Sequence, residues 1–115
     1  MAESSVLTSL MAVIAQRKAN PEQERSYVAS LLKGGVELIG AKVVEEAAEV
    51  VEAAGEPGEP GREHLVKEVA DLVFHTLVML GYRDADWSEV EAELARRFGI
   101  SGIVEKKARQ VPDPR

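Results

Sequence analysis

Two helix-periodic stretches, residues 36–54 and 62–80, flank the run Gly55-Glu56-Pro57-Gly58-Glu59-Pro60-Gly61, whose glycines and prolines cannot continue a helix. A connection this short favours antiparallel packing of the two helices, so a helical hairpin is the first commitment of the chain. The remainder also reads as helix. Leu7, Leu10, Met11 and Ile14 recur at helical spacing and predict a first helix from about Ser5 to Lys18, closed by Asn20-Pro21. Ser26 suits the N-cap of a short helix through Leu31 and Leu32, which Gly34-Gly35 ends. Asp86-Trp87-Ser88-Glu89 opens a further helix to Phe98, Gly99 stops it, and Ser101 to about Gln110 predicts a last short one. The β-branched pairs Val43-Val44 and Val50-Val51 show no period-two alternation, so no strand is placed. The expected fold class is all-α: a helical bundle forming one domain over residues 1–110, with residues 111–115 as a frayed tail.

Each long helix carries two acids three residues apart, Glu46-x-x-Glu49 and Glu68-x-x-Asp71. That spacing puts both acids of a pair on one helix face, where they offer oxygen ligands side by side. In the first helix Ile39, Val43, Ala47, Val50 and Ala54 cover an arc of roughly 80°. Glu46 sits at its edge, with Lys42, Glu45 and Glu49 in the neighbouring arc. Taken alone, this helix fits surface pairs between Lys42 and Glu46 or Glu49 equally well, worth a few tenths of a kcal/mol.

The second helix is more demanding. Leu65, Val69, Leu72, Val73, Thr76 and Leu80 line one side, and Phe74 and Val78 extend apolar surface around the other flank. Glu68, Asp71 and His75 make a narrow polar stripe between them. A helix apolar nearly all round is buried, and buried carboxylates are costly unless paired or metal-bound. Two readings meet that requirement. One is an ion-pair network with Lys42 or an arginine; the other is four carboxylates around one pocket, an oxygen cage of the kind that Mg²⁺ or Mn²⁺ prefers. Antiparallel packing brings the Glu46/Glu49 edge against the stripe, which favours the metal site. Hard oxygen donors suit Mg²⁺ rather than zinc, so His75 is ranked as an orienting group or substrate contact.

Composition narrows the partners. A formal charge of −6 argues against nucleic acid or an anionic membrane surface, both of which need a basic patch, yet metal ions let an acidic protein take phosphates. Zero cysteines exclude disulfides and thiolate zinc sites and agree with a cytoplasmic location. No apolar run approaches the roughly 20 residues of a membrane span, and Met1-Ala2-Glu3-Ser4-Ser5 lacks the basic start of a secretory leader. Lys33, Lys42, Arg96 and Arg97 are the candidates to meet phosphate oxygens, against the ordinary role of such residues as solvated surface. Trp87 reads as a packing residue at a helix start.

With these residues in place, the chain resembles the phosphoribosyl-ATP pyrophosphatase family of the all-α nucleoside-triphosphate pyrophosphatase (MazG-like) superfamily. The likeness runs through Val13-Ile14-Ala15-Gln16-Arg17-Lys18, Ser26-Tyr27, Lys42-Val43-Val44-Glu45-Glu46-Ala47-Ala48-Glu49, Glu68-Val69-Ala70-Asp71-Leu72-Val73-Phe74-His75, and Arg96-Arg97-Phe98-Gly99 with Ser101-Gly102. Val28 departs from the family's Ser-Tyr-Thr, and the Gly/Pro loop is longer than usual. The resemblance implies Mg²⁺-dependent hydrolysis of a small nucleotide, 1-(5-phosphoribosyl)-ATP, to the AMP derivative and pyrophosphate in histidine biosynthesis. It implies that Glu46, Glu49, Glu68 and Asp71 hold metal and that one of Glu45, Glu46 or Glu49 orients the attacking water. It also implies a homodimer, for which Phe74 and Val78 would supply apolar surface. Two rivals stand beside it: another pyrophosphatase of the superfamily acting on dUTP, dCTP or damaged nucleotides, and a non-catalytic helical dimerisation module.

Overall fold

The computed structural model describes residues 5–20 and 26–99, and all regular structure among them is helical. The elements are α1 (Val6–Ala19), α2 (Tyr27–Ala54), α3 (Gly58–Tyr82) and α4 (Trp87–Phe98). By contacts the chain divides into two units: α1, α2 and α3 belong to the first, which ends at Ala85, and α4 to the second, which begins at Asp86. The short helix expected from Ser101 and the tail lie outside the described residues. No helix among the described residues is long and apolar enough to cross a membrane.

In the first unit, local signals set the ends. Ser5 Oγ accepts from the Thr8 amide at 3.2 Å to open α1, and Asn20 closes it through its amide to the Gln16 carbonyl at 3.1 Å. Ser26 Oγ accepts from the Ala29 amide at 3.0 Å to open α2. The two helices expected on either side of Gly34-Gly35 are both present; they meet across a kink at Gly35 and together make up α2. Gly35 sits at φ 70°, ψ −162°, a conformation that needs glycine, and helical bonding resumes directly beyond it. Val28, the departure from the family pattern, is buried in the segment before the break.

The connection between α2 and α3 is shorter than its composition implied. Only Gly55, Glu56 and Pro57 lie between the helices, and α3 begins at Gly58 rather than Arg62. Pro60 is tolerated because the first-turn amides of a helix have no intrahelical acceptor to lose. Gly61 is buried, and a Cβ there would collide with the Glu56 carbonyl, so the turn folds back onto the start of α3.

The apolar core gathers where α1 meets the other two helices. Met11, Ile14, Val28, Leu31, Ile39, Leu77 and Val78 are buried, and Gly81 of α3 lies against Ile14 and Met11. Lys18 locks this end: its Nζ donates to the carbonyls of Gly81 (3.1 Å) and Tyr82 (2.8 Å) and to Asp84 Oδ1 (2.8 Å). A cation there satisfies carbonyls that the last turn of α3 leaves without helical donors.

The buried faces of the hairpin differ from the arcs drawn on straight helices. In α2 the line is Ile39, Glu46 and Ala53; Ala54 is exposed, and Glu46 lies at the centre of the face instead of its edge. In α3 Gly61 and His75 mark the line, with Glu68 between them, whereas Val69 is exposed. Both lines repeat every seven residues, the period of two helices that wrap around each other, and it drifts by about 20° per repeat from a straight 3.6-residue helix. Val78 is fully buried within the subunit, so it supplies no free apolar face; Val44, Val51 and Val66 are among the exposed apolar residues of the hairpin.

In the second unit, Asp86 and Glu89 form a reciprocal cap on α4. Asp86 Oδ2 accepts from the Ser88 amide at 2.9 Å, Glu89 Oε2 accepts from the Asp86 amide at 3.0 Å, and Gly99 closes the helix.

Candidate metal centre

The seven-residue register lays Glu46 of α2 across from Glu68 and Asp71 of α3. One carboxylate oxygen from each comes within 4.8 Å of the other two. Glu46 is only 8% exposed, Glu68 is half-buried and Asp71 is exposed, so the group runs from the helix interface to the surface. Glu46 Oε1 and Glu68 Oε1 are buried and have no hydrogen-bond partner. Such atoms are costly to bury, and acceptors alone cannot satisfy one another. Three hard oxygens with that deficit fit a divalent cation of the Mg²⁺ type.

Glu49, the fourth acid of the two pairs, is outside this three-oxygen group and lies against Glu68. Its carboxyl is raised above the ordinary value, first by the hydrogen bond with Glu68 and then by that neighbour's charge. Glu45 turns away, to Lys42 Nζ at 3.5 Å. Arg96 and Arg97 both bind Glu93, at 2.7 and 2.8 Å, which holds the Glu93 carboxyl down at about 2. Lys33 is exposed on α2. The recorded ion pairs of Lys42, Arg96 and Arg97 thus go to other acids, and the ion-pair network considered from sequence does not form through them.

His75 is 5% exposed and both its ring nitrogens are engaged. Nδ1 lies 2.8 Å from the main-chain carbonyl of Asp71, which can only accept, so Nδ1 carries the proton. In the neutral ring Nε2 then accepts from the Tyr27 hydroxyl, 2.8 Å away. Tyr27 stacks on Phe74 with ring centroids 6.0 Å apart, and the His75 ring meets Phe74 edge-on at 4.9 Å. The start of α2 is thereby fastened beside Asp71. Forty-eight residues separate Tyr27 from His75, and nothing in the sequence pattern signals this link.

His64 was also missed. It bridges Glu56, 2.9 Å from Nδ1, and Glu68, 3.1 Å from Nε2. Its pKa is raised, chiefly by the hydrogen bond to Glu56 with Glu68 adding to it, against an opposing contribution from partial burial. The sequence did hold a signal, since His64 and Glu68 are four apart on one helix.

Comparison with known proteins decides the kinship. The family model described as phosphoribosyl-ATP pyrophosphohydrolase matches residues 7–98. The chain belongs to the phosphoribosyl-ATP pyrophosphohydrolase family. Among its relatives, the phosphoribosyl-ATP pyrophosphatase of Geotalea daltonii is 52% identical over 90% of this chain and 94% of its own. That of Rhodopirellula baltica is 48% identical over 90% of this chain and 85% of its own. That of Neisseria meningitidis serogroup B is 50% identical over 91% and 94%. The stretch shared with the pyrophosphohydrolase family takes in Glu46, Glu49, Glu68 and Asp71 together with the helices that carry them.

Proposed function

We propose that the protein hydrolyses 1-(5-phosphoribosyl)-ATP to 1-(5-phosphoribosyl)-AMP and pyrophosphate, the histidine-biosynthesis reaction for which its relatives are named. The observation that carries this reading is the group of Glu46, Glu68 and Asp71 oxygens within 4.8 Å, two of them on residues with a buried oxygen lacking a partner, in a chain of this family. Glu46, Glu68 and Asp71 would hold Mg²⁺, with Mn²⁺ as a substitute. Bound there, the ion supplies positive charge to the leaving pyrophosphate and polarises the phosphorus under attack. Glu49 stands beside these ligands without joining them and is raised by Glu68, which suits it to orient a water and take its proton. Asp71, at the exposed end, leaves the ion open to solvent, where a polyphosphate would reach it. Lys42 and Lys33, on the same helix as Glu46, remain the candidate phosphate contacts in this unit, and the cytoplasm is the proposed location.

The homodimer belongs to the same proposal. Val44 and Val51 are 71% and 73% exposed and one heptad apart on α2, and Leu38, Val66 and Val69 are also exposed. A second copy laid against the side of α2 that carries Val44 and Val51 would bury both of them. Light scattering at micromolar concentration should give twice the chain mass, and a monomer would refute the dimer.

The test of the activity is pyrophosphate release from phosphoribosyl-ATP with and without Mg²⁺, beside a panel of dUTP, dCTP and other nucleoside triphosphates. Glu46→Gln and Asp71→Asn should each remove Mg²⁺-dependent release by a factor of about 100 or more while the protein stays helical. Full activity in either variant would reject the assignment.

A further inference from the structure

Glu68 enters the carboxylate group with its two oxygens in different states. Oε2 lies 3.1 Å from His64 Nε2, while Oε1 is buried and has no hydrogen-bond partner. His64 is held in turn from its other side, with Nδ1 2.9 Å from Oε1 of Glu56 in the turn between α2 and α3. That turn is fixed against α3 at Gly61, whose missing Cβ lets the Glu56 carbonyl approach. The chain therefore runs from a pinned turn, through an imidazole, to one oxygen of a proposed ligand. The ring takes no place in the three-oxygen group itself.

We propose that His64 is a positioning residue for the metal centre, holding Glu68 by Oε2 so that Oε1 is the oxygen turned toward Glu46 and Asp71. The proposal rests on the metal reading given above. A glutamate side chain loses rotamer freedom when it binds an ion, and a contact that fixes it beforehand moves that loss from binding to folding. Glu46 has no recorded side-chain partner and is held by burial, whereas Glu68, which is also largely buried, is fastened in addition by the Glu56–His64 bridge. Groups of this kind, outside the ligand set, change metal affinity by about 10- to 100-fold when removed.

The experiment is a calorimetric titration of Mg²⁺ into the full chain without substrate, paired with the Mg²⁺ dependence of pyrophosphate release. His64→Ala should weaken Mg²⁺ binding by about 10-fold or more and raise the Mg²⁺ concentration for half-maximal rate in parallel. The rate at saturating Mg²⁺ should change by less than about 3-fold, because no reacting atom touches His64. His64→Gln places an amide nitrogen where Nε2 was and should recover most of the affinity. His64→Asn reproduces only the Nδ1 contact and should bind as weakly as the alanine variant. If H64A fails to fold, the glutamine and asparagine pair decides the matter. Unchanged binding in H64A overturns the role of His64 alone, and so does equal rescue by glutamine and asparagine. A wild-type chain that binds no Mg²⁺ overturns the metal reading and this inference with it.

Discussion

The far half of α3 buries Leu77 and Val78 and lays Gly81 against Ile14 and Met11, whereas its near half turns Glu68 and Asp71 toward Glu46 of α2. One helix thus runs from a dry apolar contact into a group of carboxylates in which Glu46 Oε1 and Glu68 Oε1 lack hydrogen-bond donors. Burial of apolar surface drives folding, and unpartnered acceptors oppose it, so the two halves act on stability with opposite signs. The contrast teaches that the acid end is supported by the apolar end and does not hold the hairpin together by itself. On the metal reading proposed above, its arrangement would be a preparation for a cation, made at the expense of the metal-free protein.

The most severe test of this contrast is truncation at the apolar end. Ile14→Ala or Leu77→Ala should cost about 2–5 kcal/mol in urea unfolding, since each is fully buried. At the acid end the sign should reverse: Glu46→Leu should leave the metal-free protein as stable or more stable, by about 1–3 kcal/mol, and erase the rise in Tm on adding Mg²⁺. A clear loss of stability in Glu46→Leu would mean that the acid is a structural partner and that the contrast is false. Intermediate in size is Lys18→Met, which removes the donor from the carbonyls of Gly81 and Tyr82 and should cost about 1–2 kcal/mol by the same measurement.

A smaller effect separates charge from packing. The Glu49 carboxyl is raised by Glu68, so the folded chain holds that proton more tightly than the unfolded one. This contribution is present below the unfolded value of 4.5 and is lost as pH rises through the raised folded value. Glu49→Gln should therefore raise the Tm of the metal-free protein slightly at pH 7, and the difference should vanish below pH 4.5. The smallest shift belongs to α4. Glu93 is depressed to about 2 by Arg96 and Arg97, so its contribution exists above 4.5 and fades as pH falls toward 2. This pair is open to solvent, and Glu93→Gln should change Tm by an amount close to the error of measurement.

Much of the architecture could be read from the residues alone. The four described helices, the Ser26 cap, the opening of α4 at Asp86, and the meeting of Glu46 with Glu68 and Asp71 follow from periodicity, turn chemistry and a short antiparallel connection. What escaped depends on geometry that a single-helix projection omits. A 3.6-residue wheel places Glu46 at the edge of a face because it does not include the mutual wrapping that turns Ile39, Glu46 and Ala53 into one line. The Gly/Pro composition suggests loop at Pro60, but the amides of a first helical turn are exempt from the rule that excludes proline, so α3 takes it in. The Tyr27–His75 bond joins residues distant in sequence, so only the folded chain reveals it. His64 was legible as a neighbour of Glu68 but not as a bridge, since its second partner lies in a turn that closes back over α3.

The glycine break in α2 bears on how this sequence can change over generations. Tyr27 and Val28 precede Gly35, and Glu46 follows it within unbroken helix. One residue inserted after the break would rotate everything before or beyond it by about 100° and carry the acid out of alignment with Glu68 and Asp71. An extra residue beside the break itself meets backbone already released from helical phase, so a change of length should cost less there than at the nineteen positions that follow, from Val36 to Ala54.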